Sequence, residues 1–274
     1  MRLSVDLSVA RQMIAICLLV ASGVFFSWAS DFGDKRVAVL GDSMSWIGGD
    51  SCDIERGWTC HFVRRLHPGR MDVYARSGAM WTNASATKGD MEEYTEVITD
   101  DNVIYTQVRR LLRRAEEDAS ARPDIIIIYA GANDAWFSSR RPGMFGGCGK
   151  DPLHDSQTPS PGECTSLASS VTLSCRLLKQ AFPESRIVAV TPTEISKVAP
   201  AEVNKVGDTI EKAASAFGIE VLRADHDVDI RHDVEKKRHR HTSDGVHTNP
   251  SGARLIADYI TAKLTNNKEL KNKE

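Results

Sequence analysis

Apolar residues along this chain fall into two kinds of run. One kind is short and nearly continuous: RVAVL at 36–40, MDVYA at 71–75, DIIIIYA at 124–130, RIVAV at 186–190 and IEVL at 219–222. Runs of this length, rich in β-branched residues and bounded by polar or turn residues, predict strands. DIIIIYA is apolar almost throughout, as a central parallel strand covered on both faces must be. The other kind spreads its apolar positions at helical spacing, which predicts helices over 102–118, 166–182 and 201–217. A last helix follows NPSG, where Asn249 can cap and Pro250 suits the first turn. Strands and helices alternate, so the units are right-handed βαβ crossovers. The pattern predicts an α/β fold: a single-domain, doubly wound, mostly parallel sheet of five strands with helices on both faces.

Three stretches stand outside this rhythm. At the N-terminus Arg2 and Arg11 precede the apolar run 13–28, and Ser27 and Ala29 occupy the −3 and −1 positions of a cleavage site. That pattern predicts a signal peptide over 1–29 and a secreted or periplasmic protein. The run is short for a membrane span, which needs about 20 residues, although an uncleaved anchor is the alternative. Cys17 has Ile16 before it, not the small residue of a lipoprotein signal. The polar segment 266–274 reads as a tail, which leaves 30–265 as the folded domain. Within that domain, 138–165 is a long stretch without periodicity, and such loops are commonly functional.

Composition adds exclusions. The chain has 274 residues, 26% of them charged, and a net charge of −2, so nothing calls for nucleic acid or an anionic membrane. The basic segment EKKRHRH at 235–241 reads as a solvated charged loop. Export makes the cysteines read as disulfides before metal ligands. Cys52, Cys60, Cys148, Cys164 and Cys175 remain after cleavage, and short spacing favours Cys52–Cys60 and Cys148–Cys164, with Cys175 a buried thiol on a helix. No CxxC is present, so no zinc site is expected, and His239 and His241 read as loop residues and not as a metal pair.

Candidate chemistry sits at the strand ends. GDS at 41–43 follows the first strand, Ser77-Gly78 the second and GAND at 131–134 the third; DGVH at 244–247 precedes the last helix. Doubly wound topology gathers all four at one sheet edge. A serine hydroxyl needs an adjacent base to act as a nucleophile. His247 can take its proton, and Asp244 can hold the imidazole. The oxyanion of an acyl-transfer intermediate needs preplaced donors, which the backbone N–H of Ser43, the backbone N–H of Gly78 and the Asn133 amide can supply. The GxSxG elbow of α/β-hydrolases is absent.

These four blocks, in this order, resemble those of the SGNH (GDSL) hydrolases over about residues 36–262. The resemblance implies a flavodoxin-like sheet and ester hydrolysis without a metal or other cofactor. It implies Ser43 as nucleophile, Asp244 and His247 completing the triad, and Gly78 and Asn133 in the oxyanion hole. Ser77 stands where relatives often have Asn. The reading is an exported serine esterase acting through an acyl-enzyme on short acyl groups, including those on carbohydrates. An acyltransferase, a lipase or lysophospholipase, and a non-catalytic carbohydrate-binding protein are the alternatives. Trp46, Trp81 and Trp136 each follow an expected active-site residue by three positions. They read either as an aromatic wall for substrate or as packing beneath the sheet edge. The expected partner is a small-molecule or carbohydrate ester, with no stable membrane association once the signal is removed.

Overall fold

Consecutive side chains of a strand point to opposite faces of its sheet, and here both faces are covered. The computed structural model describes residues 32–89, 97–146 and 157–265. Five strands form one sheet: β1 (Arg36–Gly41), β2 (Arg70–Val73), β3 (Ile125–Tyr129), β4 (Arg186–Val190) and β5 (Glu220–Leu222). Their order is β2-β1-β3-β4-β5 and every pair is parallel, so the fold is a doubly wound α/β sheet, parallel throughout. In register, Val39 lies between Val73 and Ile127.

On one face, Ala38, Leu40, Ile126, Ile128 and Ala189 pack with three helices: α3 (Ile104–Glu117), α5 (Leu167–Ala181) and α6 (Pro200–Ser215). On the other, Val37, Val39, Ile127, Val188 and Val190 pack with α2 (Trp58–Leu66) and α9 (Pro250–Leu264). Val37 to Leu40 of β1 and Ile125 to Tyr129 of β3 therefore alternate between one core and the other, which is why those strands read as unbroken apolar runs. As expected, Asn249 caps α9 by accepting from the N–H groups of Ser251 and Gly252, and Pro250 takes the first helical position. Two short helices, α1 (Ser43–Trp46) and α4 (Ala132–Trp136), leave the ends of β1 and β3. Two more, α7 (Ala224–Asp227) and α8 (His232–Arg238), lie between β5 and α9.

After β1 the chain crosses to β2 on one side, and β3 then lies on the other side of β1. The carboxyl ends of β1 and β3 thus flank the topological switch point, where open α/β sheets bind their ligands. The segments expected to be a signal peptide, 1–29, and a polar tail, 266–274, lie outside the described residues. No helix among the described residues is long and apolar enough to cross a membrane.

Two expectations need correction. No bond joins Cys52 and Cys60; both are buried free thiols. Helix α2 begins between them and turns Cys60 fully into the interior, while Cys52 sits in the preceding turn with a left-handed backbone, φ 54°. Burial pushes the Cys52 thiol up to about 11. Cys148 falls outside the described residues, so the Cys148–Cys164 pairing does too. Cys175 is a buried free thiol on α5, as expected. The described ends of the 138–165 loop pack on the segment after Gly78: Asn83 Nδ2 donates to the Cys164 carbonyl at 3.2 Å. The segment 235–241 is not uniformly solvated either, since Glu235 and His241 are buried.

Candidate active site

Ser43 opens α1 immediately beyond β1. The approach is tight: a Cβ on Gly41 would lie 2.3 Å from the Tyr129 carbonyl oxygen, so the turn accepts only glycine there. Gln107 of α3 fixes Gly41 by accepting its N–H and donating to its carbonyl, both at 2.8 Å. Asp42 caps α1, its carboxyl accepting from the Met44 N–H at 2.9 Å. Burial, reinforced by Asp134 and opposed by the Met44 N–H and His247, pushes the Asp42 carboxyl up to about 7.

The Ser43 hydroxyl meets His247 Nε2 at 3.0 Å across 204 residues of sequence. His247 Nδ1–H donates to Asp244 Oδ2 at 2.7 Å. That bond puts the proton on Nδ1 and leaves Nε2 free to accept from serine. The other Asp244 oxygen takes the N–H groups of Val246 and His247 at 2.9 and 2.7 Å, so the 244–247 turn orients its own carboxylate. Partial burial works to raise the Asp244 pKa, but the bonds from His247 and Val246 outweigh it and hold the carboxyl below its ordinary value. The turn is closed at its base, where the Ser243 N–H donates to the His247 carbonyl at 2.7 Å and Thr242 bridges Thr248.

Gly78 has φ +80°, and a Cβ there would press on the Val97 backbone at 2.9 Å, so this turn too requires glycine. Its loop is tied to the neighbouring strands: the Arg76 N–H donates to the Gly41 carbonyl at 3.1 Å. Asn133, on α4, donates one amide N–H to the Ala79 carbonyl at 3.0 Å. The second N–H of the same amide remains for a developing oxyanion. Asp134 joins these two blocks. Fully buried, it accepts from the N–H groups of Trp81 and Thr82 at 2.9 Å each and from the Thr82 hydroxyl at 2.6 Å.

The structure thus brings Ser43, His247 and Asp244 into one relay and ties the Gly78 loop to Asn133. Of the three tryptophans, Trp46 and Trp136 are half-buried, and Trp136 stacks on Phe137 at 4.7 Å between ring centroids. Trp81 is a correction: it is fully buried in the core with Leu40, Tyr74 and Ile104, so it walls no substrate pocket. Gln107 and Glu235 escaped sequence reasoning, and Asp134 entered it only as part of the GAND block. A buried polar residue inside a helical pattern carries no period of its own, though Gln107 stands out as polar on the inward face of α3.

A family profile described as GDSL-like Lipase/Acylhydrolase matches residues 37–260. No curated protein matches the chain. Among solved structures, a protein from Lactobacillus plantarum aligns with TM-score 0.57 and 15% identity over 85% of this chain and 98% of its own. A proposed GDSL-like lipase from Bacteroides uniformis aligns with TM-score 0.54 and 20% identity over 85% and 96%. Another from Bacteroides ovatus gives 0.54 and 17% over 85% and 99%. At these identities the likeness is one of fold.

Proposed function

Because the chain belongs to the GDSL-like lipase/acylhydrolase family, it is a serine ester hydrolase, and we propose that it is exported and removes short acyl groups, including those carried by carbohydrates. The observation that carries the chemistry is the continuous relay Ser43–His247–Asp244, with bonds of 3.0 and 2.7 Å. His247 Nε2 accepts the Ser43 proton as Oγ attacks the ester carbonyl. The Asp244 carboxylate stabilises the imidazolium that forms. The oxyanion of the tetrahedral intermediate is met by the Ser43 and Gly78 N–H groups and the Asn133 amide. His247 then protonates the leaving alcohol, and an acyl group stays on Ser43. Water, deprotonated by the same histidine, releases the acid.

Export is supported by Arg2, Arg11, the apolar run 13–28 and the Ser27/Ala29 pair. Carbohydrate is supported by Trp46 and by the Trp136–Phe137 stack, half-exposed rings next to the nucleophile and the oxyanion donor in sequence. The test is a panel of p-nitrophenyl esters with acyl chains from acetyl to dodecanoyl, run beside acetylated sugars. The proposal expects acetyl esters to be preferred and acetate to be released from sugars, with both lost in Ser43→Ala. A preference for long chains would instead assign a lipase-type substrate.

A further inference from the structure

The basic segment EKKRHRH, expected to be a solvated loop, starts within helix α8 and begins with a carboxylate that water does not reach. Glu235, on α8, is 0% exposed. Its carboxylate gathers four hydrogen bonds from two consecutive residues. The His241 N–H donates to both oxygens at 3.0 and 3.1 Å, the Thr242 N–H donates at 3.0 Å, and the Thr242 hydroxyl donates at 2.6 Å. The Thr242 hydroxyl in turn accepts the Gly245 N–H at 3.1 Å. Gly245 lies between Asp244 and the rest of the DGVH turn, and its carbonyl is held by the Ser196 N–H at 2.7 Å. His241 is anchored on its far side, with Nδ1 3.0 Å from the Ser251 hydroxyl of α9.

A buried carboxylate is costly unless donors surround it, and a structural helix has no need of one. The three donors here, the His241 N–H shared between both oxygens and the Thr242 N–H and hydroxyl, all come from the start of the loop that carries Asp244 and His247, and the chain of bonds runs Glu235, Thr242, Gly245. The same device recurs across the site, where Asp134 takes two consecutive N–H groups and a threonine hydroxyl from the segment after Gly78. Asp134 belongs to the GAND block; nothing in the DGVH block announces Glu235.

We infer that Glu235 is a positioning residue for catalysis: its carboxylate, acting through Thr242 and Gly245, sets the Asp244–His247 turn against Ser43. This rests on the esterase reading above. An amide in its place keeps one acceptor but turns N–H donors toward the loop's own donors, so the turn loosens while the helix keeps its shape. A loosened base costs turnover and not ground-state binding, and a misplacement on the order of 1 Å costs about 10²-fold.

The test is p-nitrophenyl acetate turnover by the full chain carrying Glu235→Gln, in wild-type and His247→Ala backgrounds, with near-UV circular dichroism to confirm folding and Lys237→Gln as a control on the exposed side of α8. Ser43→Ala in the wild-type background checks the esterase reading first; if it leaves turnover intact, that reading falls and Glu235 has no relay to serve. With the reading upheld, Glu235→Gln should lower kcat about 10²-fold with KM within about twofold. Added to His247→Ala it should cost almost nothing further, because both act through one base. Thr242→Val, which removes the relay hydroxyl, should lower kcat in the same sense and carries the test if Glu235→Gln does not fold. An unchanged kcat, a loss confined to KM, or an equal loss in both backgrounds would overturn the inference and leave Glu235 a structural residue.

Discussion

Ser43, His247 and Asp244 form a relay in which each bond presupposes the next, so their contributions cannot be additive. Ser43→Ala and His247→Ala should each lower kcat by about 10³-fold or more, and the double variant should lose little beyond either one. Steady-state kinetics on p-nitrophenyl acetate decides this; multiplied losses would mean two independent roles. Asn133→Ala should cost about 10²–10³ in kcat through the lost oxyanion donor, with KM nearly constant. Asp42 gives a prediction of a different kind. Its carboxyl is raised to about 7 in the folded chain, above the ordinary carboxylate value it regains on unfolding. A raised carboxyl favours folding while protonated, so its contribution is full at low pH and is lost as pH rises toward and through 7. Asp42→Asn keeps the acceptor for the Met44 N–H and cannot ionise. Thermal melts at pH 5 and pH 8 should therefore show a smaller fall in Tm for the variant than for the wild type. An equal fall in both would show that Asp42 is not the group responsible.

At the scale of elements, the site consists of turns held by buried side chains from neighbouring helices. Gln107 on α3 grips Gly41, Asp134 on α4 grips Trp81 and Thr82, and Glu235 on α8 grips His241 and Thr242. Asp134→Ala would strand three buried donors. It should destabilise the protein by about 3 kcal/mol or more in urea unfolding and depress kcat as the Gly78 segment loosens. A stable variant with full kcat would mean that the segment holds its own shape. All five strands and the four long crossover and terminal helices were legible from apolar spacing, because each buries a face of regular period. Helix α2 was not, although Trp58 and Phe62 lie one turn apart. Its short run WTCHFVRRL mixes a cysteine and three basic residues into the pattern. Missing it produced the expectation of a Cys52–Cys60 bridge. The short helices α1 and α4 carry too few residues for any period; Asp42 caps α1, while α4 starts after Gly131 with no side-chain cap.

Over the whole molecule, the proposed catalysis rests on a contact between residues 204 apart, so the relay exists only in the folded chain. The sequence order of the four blocks was enough to place them on one edge, since parallel crossovers return every strand in the same direction. Which side chains face that edge was not legible. Trp81 and Trp136 occupy equivalent spacings after an active-site position, yet one is fully buried and the other half-exposed. Trp81 packs into the core with Leu40, Tyr74 and Ile104, a tertiary fact that spacing does not carry. The charged segment 235–241 misled for the same reason, because one buried carboxylate among exposed lysines leaves no mark in composition. The central claim is that Ser43 carries the acyl group between attack and release. The most direct measurement is to mix enzyme with p-nitrophenyl acetate, quench with acid in the pre-steady state and map the acetylated peptide by mass spectrometry. Acetyl on the peptide containing Ser43, absent from Ser43→Ala and strongly reduced in His247→Ala, is the predicted result. Turnover with no acetylated peptide, or acetylation at another residue that survives Ser43→Ala, would contradict it.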